Sequence, residues 1–184
     1  RVLDSLDDAD ISGTFFLLGE KAQTQGALVR SIVERGHALG NHGMHHKSLF
    51  FAGGDEIHRE IDDAAKAIAD AAGCKPRWFR PPHGLFNLAA LKAVRERDMI
   101  MTLWTLLAGD YSDDSEDLVF ERMESFIRAG SIIVLHDTSE GGGDMLPSLI
   151  AETAALSRQR SVRGDTVETQ IGRASCRERV CHRV

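Results

Sequence analysis

The chain has 184 residues, 42% of them hydrophobic and 27% charged, enough for one domain with a substantial core. Its formal charge of −6, with no basic stripe along it, argues against a nucleic-acid partner. No apolar run approaches the roughly 20 residues of a membrane-crossing helix.

The chain opens at Arg1-Val2-Leu3 without an initiator Met and in mid-pattern, so an earlier segment is expected, and no signal peptide is visible. Val2, Leu3 and Leu6 share one face and Asp4, Asp7, Asp8 and Asp10 lie elsewhere, which suits an amphipathic helix over 2–10. Gly13 to Gly19 is a continuous apolar run bounded by glycines, hence a strand buried on both faces. Ala27, Leu28, Val29, Ile32 and Val33 then recur at helical spacing up to a stop at Gly36. His37 to Gly40 reads as a buried strand, and Asp55 opens a long helix carrying Ile57, Ile61, Ala64, Ala65 and Ile68, closed by Gly73. Trp78-Phe79-Arg80 is a short strand entering a turn at Pro81-Pro82-His83-Gly84. A helix over 87–97, a strand over 99–104, a helix over 117–127, a strand over 130–135 and a helix over 145–156 follow, with a closing strand at 166–168. Strands alternate with helices, and the strands are continuous apolar runs. That pattern predicts a parallel sheet with helices outside, closed or open.

The last residues break the pattern. Ile171 to Val180 reads IGRASCRERV, which resembles one translated frame of a common sequencing adapter. Arg173, Arg177, Arg179 and Arg183 against Glu178 make an abrupt basic end to an acidic chain. The expected division is therefore a domain over 1–170 and a non-native tail over 171–184 that packs against nothing. Cys176 and Cys181 fall in that tail, so 1–170 holds only Cys74 and no cysteine pair of its own.

Chemistry gathers around Gly40-Asn41-His42-Gly43-Met44-His45-His46. His42 and His46, four residues apart, can stack on one helical turn and grip one metal ion. The metalloprotease form of this spacing places a Glu directly after the first His as base. Gly43 stands there, so that reading fails, and both base and third ligand must come from elsewhere. His42, His46, Arg80, Asp110, His136 and Asp137 all follow strand ends, which points to one site on one rim. Plainer readings stand beside this one. His136 could be a satisfied rim histidine, Arg80 could pair with a structural Asp, and Asp110 could cap a turn. His45 is an alternative metal partner, His37 reads as structural, and His58 reads as solvent-facing.

With those residues in view, the chain from Val2 to Glu168 resembles the polysaccharide deacetylase family, the NodB-homology domains of carbohydrate esterase family 4. Thr14-Phe15-Phe16 with Gly19, then Gly36-His37 and Gly40-Asn41-His42, are similar to that family's ATFF…G…GHEIGNH text. Phe79-Arg80-Pro81-Pro82-His83-Gly84 resembles its third motif, and Gly130 through Asp137 its closing G-x-I-I-L-L-H-D motif. The resemblance implies a distorted (β/α) barrel of parallel strands, TIM-like with seven or eight strands in the parent and the first strand missing here. It implies hydrolytic removal of acetyl groups from N- or O-acetylated glycans of chitin or peptidoglycan type, and a cell-envelope or secreted setting. His42 and His46 match its metal-binding histidines; zinc suits imidazole ligands, though cobalt or nickel also could serve. By the same resemblance His136 is the general acid, Asp110 its orienting carboxylate, and Arg80 the partner of the base. The His83 N–H stabilises the oxyanion, Leu135 lines the acetyl-methyl pocket, and Tyr111 borders the substrate.

Three departures matter. The family's T-F-D-D segment, source of base and third ligand, has no counterpart. Asp7 and Asp8 lie close before Thr14, but a solvated helix face explains them better. D-x-x-D-W becomes Leu107-Ala108-Gly109-Asp110-Tyr111, and His83 stands where the family usually has Tyr. The chain as given is therefore expected to be nearly inactive. Two further readings remain open: a catalytically dead glycan-binding relative, and a barrel hydrolase of a non-sugar C–N bond.

Overall fold

A computed structural model of the chain describes residues 1–112, 114–128, 130–137 and 142–162. The expected strand at 166–168 and the tail over 171–184 lie outside the described residues. Two compact units form: Gly13–Leu103, and Arg1–Ser12 together with the described residues from Trp104 onward.

In the first unit a parallel four-stranded sheet runs in the order β1 (Thr14–Leu17), β2 (Ala38–Asn41), β3 (Trp78–Phe79), β4 (Ile100–Met101). Thr14 pairs with Ala38, Gly40 with Trp78, and Phe79 with Met101. The connections carry α2 (Gly19–Thr24), α3 (Gly26–Glu34), α4 (Gly54–Ala72) and α5 (Leu88–Arg95). Such strand–helix–strand units are what continuous apolar strands require, since both faces of the sheet must be covered. β2 is buried throughout. β1, expected to be buried on both faces, is half-buried along its length, because it pairs with β2 alone among the described strands.

α4 is the main buttress. Ile57, Ile61, Ala64 and Ile68 are fully buried at helical spacing, and Gly73 at φ 74° ends the helix by donating to Ala69 O. Asn87 caps α5 by accepting from the Ala90 amide at 2.9 Å. Leu49, Ile57, Ile61, Phe79, Ala90, Ala93, Val94 and Met99 close the core beneath β3 and β4. Arg97 ties α5 to α4, donating to both Asp62 oxygens, with its second amino nitrogen also 2.6 Å from His58 Nδ1. The Arg97 hydrogen bonds lower the Asp62 pKa, so this pairing stabilises fully above the ordinary 3.8 and is lost as pH falls through the lower folded value. Arg97→Ala is accordingly expected to lower stability in urea melts at pH 7, with the gap from the parent closing toward pH 2.

Gly40 sets how closely β1 and β2 approach. A Cβ there would enter the Phe16 ring, which belongs to the residue paired with Gly40 across the ladder. Gly40→Ala is expected to cost about 1–3 kcal/mol in a denaturant melt, the usual penalty of overpacking.

In the second unit β5 (Leu106–Leu107) and β6 (Ile133–Val134) pair in parallel, Leu106 with Ile133 and Leu107 with Val134. α1 (Val2–Asp8) and α6 (Glu116–Phe126) pack on α7 (Gly142–Val162). Leu106, Ala108, Val119, Met123, Ile127, Leu149 and Leu156 form its core. Asp7 and Asp8 are exposed on α1, as a solvated helix face predicts. Cys74 is disulfide-bonded. Among the described residues no helix is long and apolar enough to cross a membrane.

Candidate active site

The histidine segment leaves β2 at Asn41 and turns at once. His42 and His46 do not share a helical turn, as their spacing suggested; they flank a loop in which Gly43 has φ 81° and His46 has φ 55°. Such values suit glycine, and a histidine accepts one only where its surroundings compel it. The loop still brings the two rings together, with centroids 5.1 Å apart and planes tilted by 57°. His83, at φ 58° in the turn after β3, sets its ring edge-on to His46 at 4.5 Å.

His42 Nδ1 lies 2.7 Å from Arg80 O. A carbonyl can only accept, so Nδ1 carries the proton and Nε2 is the nitrogen that would meet a metal. The pair therefore fits a divalent ion as two of its ligands. Among the described residues no group of three His, Cys, Asp or Glu is arranged to hold one.

Arg80 follows β3 and donates to Thr102 O at 3.4 Å and Leu103 O at 3.2 Å, with its guanidinium carbon 4.0 Å from the Phe16 ring centroid. Burial pulls its pKa down to about 10, so it stays cationic at neutral pH. His42 and Arg80 thus follow the C-terminal ends of neighbouring parallel strands.

The other unit repeats that placement. Asp110 follows β5 and is fully buried; His136 follows β6. His136 Nδ1 donates to Asp110 Oδ1 at 2.9 Å, and the His136 amide donates to Oδ2. Tyr111 sets its ring edge-on to His136 at 4.9 Å. Gly109 at φ 80° makes the turn between Ala108 and Asp110, and Arg122 packs close against it while donating to Ala108 O at 2.6 Å. Asp110 thus accepts from both the ring and the backbone of His136. Leu135 is half-buried against the second core, and Asp137 is exposed.

His37 is buried and accepts from the Gly13 amide at 3.2 Å, a structural role as expected, while His58 is on the surface beside Arg97. Asn41 and Glu60, given no role from the sequence, hold the histidine loop. Asn41 Oδ1 accepts from Gly43 N at 2.8 Å and Nδ2 donates to Ile61 O at 2.9 Å. Glu60 Oε2 accepts from Met44 N at 2.8 Å and His45 N at 3.0 Å, and Oε1 meets His45 Nδ1 at 2.8 Å. Burial pushes the Glu60 carboxyl up, but the bonds from the His45 side chain and the two amides outweigh it and hold it below its ordinary value. A signal existed: Glu60 interrupts the apolar stripe of α4 between Ile57 and Ile61.

The polysaccharide deacetylase family model matches residues 1–101, which include both loop histidines and the third motif. The chain belongs to the polysaccharide deacetylase family. It is 30% identical over 156 residues to a peptidoglycan-N-acetylglucosamine deacetylase of Bacillus cereus, spanning 83% of this chain and 57% of the relative. It is also 30% identical over 163 residues to a chitooligosaccharide deacetylase of Sinorhizobium fredii, spanning 88% of this chain and 73% of the relative. A family 4 carbohydrate esterase pseudoenzyme from Bacillus anthracis superposes with a TM-score of 0.78 at 28% identity, covering 86% of this chain and 57% of that one. The fold is thus the parallel α/β architecture of family 4, the distorted (β/α) barrel that the motifs implied. The chain spans little more than half the length of the Bacillus relatives. Active and inactive members share this fold, so the deacetylase fold alone does not decide turnover.

Proposed function

We propose that the chain is the deacetylase part of a metal-dependent hydrolase that removes acetyl groups from N-acetylated, or O-acetylated, glycans of the chitin or peptidoglycan type. Residues 1–170 make up that part, and 171–184 are a translated adapter. One observation carries the reading: His42 and His136 each have Nδ1 committed, to a carbonyl and to a buried carboxylate, so both imidazoles work through Nε2.

His42 and His46 would hold the ion, zinc by ligand preference, which when bound supplies a Lewis acid to the acetyl carbonyl and to the attacking water. Hydrolysis joins the water oxygen to the acetyl carbon and breaks the C–N bond, and the departing nitrogen needs a proton. His136 Nε2 is suited to give it, because Asp110 fixes the ring and stabilises the imidazolium before transfer. The His83 N–H would steady the oxyanion, Leu135 would take the acetyl methyl, and Tyr111 would border the sugar. Arg80, cationic and half-buried, would keep a nearby base carboxylate ionised.

A second reading has one specific observation in its favour: a similar family member is itself a pseudoenzyme. The joint presence of His42, His46, Arg80, Asp110 and His136 weighs against it, since binding without turnover requires none of them together. A panel decides between the readings. A version extended by an N-terminal strand ending in Asp-Asp should release acetate from acetylated chito-oligosaccharides and not from simple aliphatic amides. Oligosaccharide binding without acetate release supports the pseudoenzyme; amide hydrolysis alone supports a non-sugar C–N hydrolase.

A further inference from the structure

We propose that Glu60 is the positioning residue of the 42–46 loop, its carboxylate fixing the turn that brings the His42 and His46 rings together. This inference rests on the reading of those two rings as metal ligands.

The loop holds two positive-φ residues, Gly43 and His46, within a few residues of each other. The non-glycine one crowds its Cβ against the backbone, so something must hold it. Three consecutive amides, of Gly43, Met44 and His45, point to one side of the loop, where Asn41 takes the first and Glu60 the other two. On the other side the first amides of α2 hold the loop's carbonyls, Gly19 N to Gly43 O at 3.0 Å and Glu20 N to Met44 O at 3.2 Å. Glu60 is itself placed by the core, because Ile57 and Ile61 on either side of it are fully buried. It is only 5% exposed, and it would be a costly buried charge if its oxygens were not filled. His45 fills the remaining oxygen, which explains why the histidine between the two ring partners turns away from them. A carboxylate suits this post better than an amide, because three donors converge on two oxygens and a glutamine has only one acceptor.

Outer partners of this kind typically matter by about 10–100-fold in metal affinity. The test titrates zinc into the full 184-residue chain against a chromophoric chelator, for the parent, Glu60→Ala, Glu60→Gln and His45→Ala. Amide exchange of metal-free protein is read in parallel at Met44, His45, Leu39 and Gly40. Glu60→Ala should weaken zinc binding by about 10–100-fold, with Glu60→Gln recovering only part of the loss and His45→Ala falling between the parent and Glu60→Ala. Exchange at Met44 and His45 should speed up in Glu60→Ala, while Leu39 and Gly40 in β2 stay protected. Parent-like affinity in a folded Glu60→Ala chain, or exchange that rises evenly along β2 and the loop, overturns the proposal. If Glu60→Ala does not fold, His45→Ala and Glu60→Gln decide, and parent-like affinity together with parent-like exchange in both overturns it. A parent chain that takes up no zinc sinks the metal site and this positioning role with it, whereas zinc uptake that ignores Glu60 sinks the positioning role alone.

Discussion

Asp110→Asn, in a version extended by a base-carrying strand, is expected to release acetate about 100- to 10,000-fold more slowly than its parent, the range general acid catalysis supplies. The asparagine fits the same fully buried space, so the fold should survive. What changes is the hydrogen-bond logic. Asp110 now accepts from His136 Nδ1 and from the His136 amide. An asparagine has one acceptor for those two donors, and its NH2 group facing Nδ1 would favour the other imidazole tautomer. Nε2 would then carry no stabilised charge for the leaving nitrogen. Steady-state kinetics should show the loss in kcat with KM little changed, since Asp110 does not touch substrate in this account. An equal fall in thermal stability and activity, with kcat per folded molecule unchanged, would return Asp110 to a purely structural role.

The second large effect concerns the base. On the proposed reading His42 and His46 would hold a metal and His136 would be the acid beside a cationic Arg80, but among the described residues no third ligand completes the metal group. Purified 1–184 is expected to deacetylate acetylated chito-oligosaccharides barely above background, and the Asp-Asp-extended version at least about 100-fold faster. Zinc affinity should rise in the same step, because catalytic zinc sites use three protein ligands. Normal enzymatic rates from the bare chain would mean that Asp7, Asp8 or another carboxylate is the working base, against their exposed position on α1.

Much of this was legible in the sequence, for identifiable reasons. β2, α4, α5 and α6 carry strong periodic or continuous apolar signals, and their bounds fall close to those expected. α2 escaped because Gly19–Thr24 offers only Ala22 to the core, too little for a period. β5 escaped because two residues, Leu106 and Leu107, make no run, and its place is fixed by pairing with β6. The strand expected over 99–104 shrinks to Ile100–Met101, since the backbone beyond serves Arg80 through Thr102 O and Leu103 O. At the site, the four-residue spacing anticipated two neighbouring imidazoles, whose rings do meet, but the wrong local structure. Four-residue spacing is helical only where φ permits, and Gly43 and His46 turn the chain the other way. The partner of Glu60 was hidden for a different cause: it is a long-range contact, 15 residues from His45, and no local pattern encodes such pairing. Asp110 and His136, 26 residues apart, were paired only through the family resemblance.

The most direct measurement is a zinc titration of the parent chain, His42→Ala, His46→Ala and the double variant, by competition with a chromophoric chelator. The account predicts one weak site per parent chain, a loss of about 100-fold or more in either single variant, and no specific site in the double variant. Zinc uptake that survives unchanged in His42→Ala/His46→Ala, or a folded parent chain that takes up none, would contradict it.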